Sequence, residues 1–166
     1  MTGVPLVAVL LGTDHHPFDR LVRWVDELDA SMPADWFVQH GATVLPSRLA
    51  GEPMLTPSAL HDLMVRADAV VCHGGPGLII EARAAGHDPV VVPRDPGRGE
   101  HVDDHQQRFV GFLSRQGQVT TASSAAGLAT AVEHAVGAAE RHLGTGPGST
   151  TSLRFGSLVD SLLQRT

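Results

Sequence analysis

The sequence predicts α/β architecture: one open parallel β-sheet with helices packed on both faces. Three observations carry that expectation. Three short runs are almost continuously apolar, at Val4–Leu11, Asp68–Cys72 and Pro89–Pro93, the pattern of strands buried on both sides. Amphipathic stretches with helical spacing separate them, and parallel strands need such crossovers. The length of 166 residues fits one domain at ~150 residues per domain, large enough to bury ~70% of the unfolded surface.

Taken in order, Val4–Leu11 is the first strand, closed by Gly12. Residues 17–30 form a helix, with Phe18, Leu21, Val22, Val25 and Leu28 on one face. Trp36–Gln39 and Ala42–Leu45 read as short strands. Ser58 is placed as the N-cap of a helix carrying Leu60, Leu63, Met64 and Ala67. Asp68–Cys72 then runs straight into His73-Gly74-Gly75-Pro76-Gly77, and a helix from Gly77 to Ala85 ends at Gly86. Pro89–Pro93 is the third buried strand and Arg94–Glu100 a Pro/Gly-rich loop. Asp103–Arg115 is helical, Gln118–Thr121 an edge strand, and Ala125–Leu143 an alanine-rich helix. The domain thus spans 1–143. Residues 144–152 read as a flexible linker by composition, and 153–166 as an amphipathic terminal helix.

Composition excludes several chemistries. All twelve basic residues are arginine, against eighteen acidic ones, for a net charge of −6. That balance disfavours a nucleic-acid backbone or an anionic membrane as partner. Without lysine there is no Walker A loop and no Schiff base. Cys72, the single cysteine, cannot form an internal disulfide or a multi-cysteine zinc site and reads as a core thiol. No apolar run approaches the ~18 residues of a membrane span, and no signal-like N-terminus precedes the first strand. The expectation is a cytoplasmic protein.

Ligands of parallel sheets bind beyond the carboxyl ends of the strands, so the loops at 12–17, 73–77 and 94–103 should line one crevice. The glycines at 74, 75 and 77 open a helix, where backbone N–H groups and the helix dipole suit an anion. The same glycines would equally serve a tight turn packing a helix on a sheet. Glu81, about one turn into that helix, is placed to accept from a vicinal diol such as a ribose. Gly75 and Gly77 begin a G-x-G-x-x-G pattern, but Ile80 occupies its third glycine position, which argues against nicotinamide or flavin. Thr13 either approaches a phosphate or, with Asp14, caps the next helix. Asp104, His105 and Gln106 are placed to bind sugar hydroxyls, and Arg94 or Arg98 to counter phosphate charge. A metal-dependent hydrolase built on His101, Asp104 and His105 is a further rival, but no third ligand cluster points there, and no metal is assigned.

HGGPGLIIEARAAGHDPVVVP, GEHVDDHQ and the opening strand into GTDHHPFDRL together resemble the carboxyl-terminal domain of family 28 glycosyltransferases. Within it, the chain is most similar to the small soluble catalytic subunits of two-part UDP-sugar (N-acetylglucosaminyl) transferases. The resemblance implies the Rossmann-like carboxyl-terminal half of a GT-B enzyme. It implies that Thr13, Gly74, Gly75 and Gly77 hold the diphosphate and Glu81 the ribose. His105 and Gln106 would face the donor sugar, while Met54 and Leu55 would frame the uracil. It further implies UDP-sugar as substrate, no cofactor or metal, and a membrane-anchored partner subunit that binds the acceptor and supplies the base. Such a partner would recruit the chain to the inner face of the membrane, with polysaccharide or lipid-linked saccharide as acceptor. One departure stands out: related loops carry serine or threonine after the last glycine, where this chain has Leu78. A nucleotide-sugar-binding module without catalysis is the alternative.

Overall fold

A computed structural model describes residues 3–142. The expected linker and terminal helix, 144–152 and 153–166, lie outside the described residues. Six strands, β1 (Leu6–Leu10), β2 (Asp35–Gln39), β3 (Ala50–Glu52), β4 (Ala69–His73), β5 (Val90–Val92) and β6 (Thr120–Thr121), form one sheet in the order β3-β2-β1-β4-β5-β6. Every pairing is parallel. The helices are α1 (Asp19–Asp29), α2 (Pro57–Arg66), α3 (Pro76–Ala84), α4 (His105–Arg115) and α5 (Ala125–His142).

Strand pleating explains the two cores. Alternate side chains of a strand point to opposite faces, so Val7, Val9 and Leu11 join Leu21, Val25, Leu128 and Val132 of α1 and α5 on one side. Ala8 and Leu10 join Leu63, Ile79, Val110 and Leu113 of α2, α3 and α4 on the other. β1, β4 and β5, covered by both layers, are apolar and buried along almost their whole length. Cys72 is wholly buried in the second core, and burial pushes its thiol up to about 12, as a core thiol requires.

Three local expectations are corrected. No strand forms at Ala42–Leu45. Gly41 takes a left-handed φ of 55°, a turn follows, and the Thr43 hydroxyl is drawn inward to accept from the Phe18 N–H at 2.9 Å. The strand beside β2 is instead Ala50–Glu52, where Gly51 is required because a Cβ would lie 2.2 Å from the Val38 carbonyl oxygen. The α2 N-cap is Thr56 rather than Ser58: its hydroxyl accepts from Ala59 N–H at 3.2 Å, with Pro57 at the first helical position. α4 also starts two residues later than expected, at His105.

Candidate functional site: the cleft at the strand switch point

Connections from β1 and β4 leave toward opposite faces of the sheet, which opens a crevice beyond their carboxyl ends. The cleft there has a volume of about 480 Å³ and gathers Thr13, Asp14, Met54, Leu55, His73, Gly75, Gly77, Leu78, Glu81, His101 and Gln106. A smaller depression on the α2 flank is bounded by Leu6, Phe37 and Leu63, with Asp62 and Arg66 beside them.

His73 is the pivot of the floor. Gly12, at φ 78°, and Gly75 both lie against its ring: a Cβ on Gly12 would stand 2.5 Å from Nε2, and one on Gly75 2.3 Å from Cε1. Those two glycines are therefore needed for close packing on an imidazole. Burial, the largest influence, lowers the His73 pKa to about 4, against the opposing hydrogen bond to Gln106, so the ring is neutral near pH 7. Its Nδ1–H faces Gln106 Oε1 at 3.3 Å.

Gln106 binds the site together. Its Oε1 also accepts from Gly74 N–H at 3.1 Å and Arg94 N–H at 3.2 Å, uniting the loops after β4 and β5 with the start of α4. The Gly74 N–H, expected to meet phosphate, is thus already occupied by protein. Removing the acceptor in Gln106→Met leaves three N–H groups without it, and an unmade buried hydrogen bond costs ~1–3 kcal/mol. Because the cleft admits water, we expect a loss near ~2 kcal/mol, read from urea denaturation midpoints.

At the α3 N-terminus, Pro76 has no N–H and the Gly77 and Leu78 N–H groups lie too early in the helix for an intrahelical acceptor. Among the described residues no group accepts from the Gly75, Gly77 or Leu78 N–H. A Cβ on Gly77 would meet nothing within 4 Å, so packing does not explain that glycine. Glu81 is exposed at the cleft wall, with no side-chain partner among the described residues. Thr13 is likewise exposed on the opposite loop.

Other expected residues fall elsewhere. His105 does not line the cleft; its side chain is 71% exposed and its Nδ1 lies 2.7 Å from Asp103 Oδ2. Asp104 faces Arg108 at 3.1 Å. The trio His101, Asp104 and His105 therefore does not converge. Arg98 is exposed beside Asp95. Arg94 is 1% exposed and donates to the carbonyls of His16 (2.7 Å), Leu11 (2.8 Å) and Glu100 (3.0 Å), so it braces backbone rather than meeting a ligand.

Gln39, Asp14 and His73 also take part in the site, although no motif in the sequence assigns them a role in it. Gln39 clasps Gly12 through both its N–H (3.0 Å) and its carbonyl (2.9 Å); its position at the end of β2, level with Leu10, was the available signal. Burial raises the Asp14 carboxyl, but hydrogen bonds from the His16 N–H and ring, with the Arg94 charge, hold it below the ordinary carboxylate value.

An all-parallel sheet with this strand order and a glycine-bearing crevice at its switch point defines a Rossmann-like domain. Solved structures share the fold. The calicheamicin glycosyltransferase CalG4 superposes with TM-score 0.59 at 21% identity over 98% of this chain and 44% of that one. The glycosyltransferase SnogD from Streptomyces nogalater gives 0.52 at 22% over 96% and 45%, and MurG of Acinetobacter baumannii 0.52 at 21% over 100% and 51%. The chain thus spans about half the length of these proteins and matches a GT-B carboxyl-terminal half. Comparison with curated proteins finds no match. The model of the glycosyltransferase family 28 C-terminal domain matches residues 57–143, and the chain belongs to that family.

Proposed function

We propose that the chain is the donor-binding catalytic subunit of a heteromeric glycosyltransferase that moves N-acetylglucosamine or another hexose from a UDP-sugar. The observation that carries this reading is the conjunction at α3: unpartnered N–H groups of Gly75, Gly77 and Leu78 at the helix start, and unpartnered Glu81 one turn on, all on one cleft. The amides and the positive end of the helix dipole neutralise a diphosphate, and the Glu81 carboxylate accepts from both ribose hydroxyls. Thr13 approaches the diphosphate from the first loop, while Met54 and Leu55 frame the uracil. Gln106 offers its remaining amide N–H groups to the donor sugar.

The acceptor hydroxyl attacks the anomeric carbon as the bond to the diphosphate oxygen breaks, and UDP departs with the electron pair. The amides meet the charge that develops on that oxygen, so this step is assigned no metal or other cofactor. In this reading a membrane-anchored partner presents a lipid-linked or growing saccharide and supplies the base that takes the hydroxyl proton. It also brings the chain to the cytoplasmic face of the membrane. Among the described residues no helix is long and apolar enough to cross a membrane.

Calorimetric titration with UDP, UDP-N-acetylglucosamine and ADP tests the reading. We expect uridine ligands to bind more tightly than ADP, and Glu81→Ala to weaken them ~10–100-fold, the value of a charge-assisted hydrogen bond of ~1.5–3 kcal/mol. Equal affinity for UDP and ADP, or an unaffected Glu81→Ala, would overturn the assignment. Leu78 in place of a hydroxyl favours the second reading, a nucleotide-sugar-binding module without catalysis. Binding with no transfer after the acceptor subunit is added would select it.

A further inference from the structure

We propose that the rim of the cleft carries a binding site for one divalent transition ion of the zinc class, formed by Asp14, His15 and His16 with His101 beside them. The proposal is independent of the nucleotide reading. One atom from each of the first three residues, a carboxylate oxygen and two imidazole nitrogens, lies within 4.8 Å of the others. His16 Nδ1 is 2.6 Å and His15 Nδ1 3.9 Å from Asp14 Oδ1. His101 Nε2 stands 3.5 Å from the other carboxylate oxygen. Ligands bound at ~2.0–2.2 Å to one tetrahedral ion sit ~3.3–3.6 Å apart, so side-chain rotations bring Asp14, His15 and His16 to a shared centre, while His101 approaches Asp14 alone. Among the described residues no other group of three such side chains converges in this way.

The donor types choose the ion. Imidazoles with one carboxylate suit zinc, cobalt or nickel, whereas magnesium and calcium call for oxygen ligands. The loop bearing three of the ligands is also held in place. Arg94 donates to the His16 carbonyl, the His16 N–H donates to Asp14 Oδ1 at 2.7 Å, and Gln39 clasps Gly12 just upstream. Fixed backbone under the ligands favours binding because less freedom is lost. The Arg94 guanidinium opposes a cation nearby, which weakens the site without changing which ion it selects. Cys72 offers no competing thiolate, since it is fully buried.

The test is a titration of the untagged, nucleotide-free full chain with zinc chloride, and separately with magnesium chloride, followed by calorimetry. One zinc per chain and no magnesium binding are expected, with affinity reduced about tenfold or more in His15→Ala and further in His15→Ala/His16→Ala. Cobalt substitution should give the intense visible absorption of a tetrahedral site, lost in the double variant. The His15 side chain is 85% exposed, so the single variant folds even if the double one does not, and circular dichroism melts check both. No zinc binding by the wild type at ~100 µM metal, well above a micromolar Kd, would overturn the proposal. So would binding that both variants retain, which would place the ion on other histidines.

Discussion

Arg94→Met should cost about 3–5 kcal/mol of stability, because three buried carbonyls lose a charged donor and each unmade buried hydrogen bond costs ~1–3 kcal/mol. The guanidinium joins three segments that are remote in sequence: the end of β1 through the Leu11 carbonyl, the first loop through His16, and the third loop through Glu100. It also lies over the Phe18 ring, 4.8 Å from its centroid. Methionine keeps much of the stem volume and none of the donors, so three carbonyls lose their partner in a place with little water. Native stability is only ~5–15 kcal/mol, and the first loop should loosen with it, weakening nucleotide binding as well. Arg94→Lys should recover little, because an ammonium cannot reproduce the planar fork that reaches three carbonyls. Arg98→Met is the control: its side chain is 63% exposed, and a surface change of that kind stays within ~0.5 kcal/mol. Equal denaturation midpoints for Arg94→Met and Arg98→Met would sink the bracing role.

That role shows where sequence reading stops. The three buried strands and the order of their loops were legible because burial on both faces leaves continuous apolar runs, and no tertiary knowledge is needed to see them. The crevice followed from the parallel-sheet rule alone. Arg94, however, sits 83 residues from Leu11 and 78 from His16, and only the topology brings those carbonyls around it. In the sequence it was one arginine in a polar loop, and phosphate binding was the natural reading. β3 was misplaced for a related reason. Ala-Gly-Glu has no strand signature of its own and is extended only because β2 offers it hydrogen bonds. At the start of α4, His105 and Gln106 were treated as a pair. Successive helical residues diverge by ~100°, so Gln106 turns inward to Gly74 and Arg94 while His105 faces solvent. The glycine loop gave its position correctly but not its division of labour: Gly12 and Gly75 make room for the His73 ring, Gly74 N–H is held by Gln106, and Gly77 alone opens onto space.

His73 should make the fold acid-sensitive. Its folded pKa, about 4, lies below the ordinary value of 6.5, so the folded state resists a proton that the unfolded chain accepts. The sign follows directly: the contribution is fully present above pH 6.5, declines as pH falls, and is exhausted once the pH passes below about 4. A gap of that size corresponds to ~3 kcal/mol at most, at ~1.4 kcal/mol per unit. Urea denaturation at pH 7 and pH 4.5 should therefore show a loss in the wild type that is ~2–3 kcal/mol greater than in His73→Asn, the other titrating groups cancelling in the difference. If the asparagine variant does not fold, an NMR titration of the wild-type imidazole gives the same answer, with the His73 ring expected to stay neutral down to pH 5. Protonation near pH 6.5 would mean that water reaches the ring. The packing of Gly12 and Gly75 on it would then be looser than the 2.5 and 2.3 Å approaches of their hypothetical Cβ atoms imply. A neutral ring also has a consequence for the cleft, because a proton on His73 would place a second buried cation beside Arg94. Burial is the main cause of the low pKa, against the Gln106 hydrogen bond, and repulsion from Arg94 and His101 is a lesser one, so removing the Arg94 charge should raise the His73 pKa only slightly.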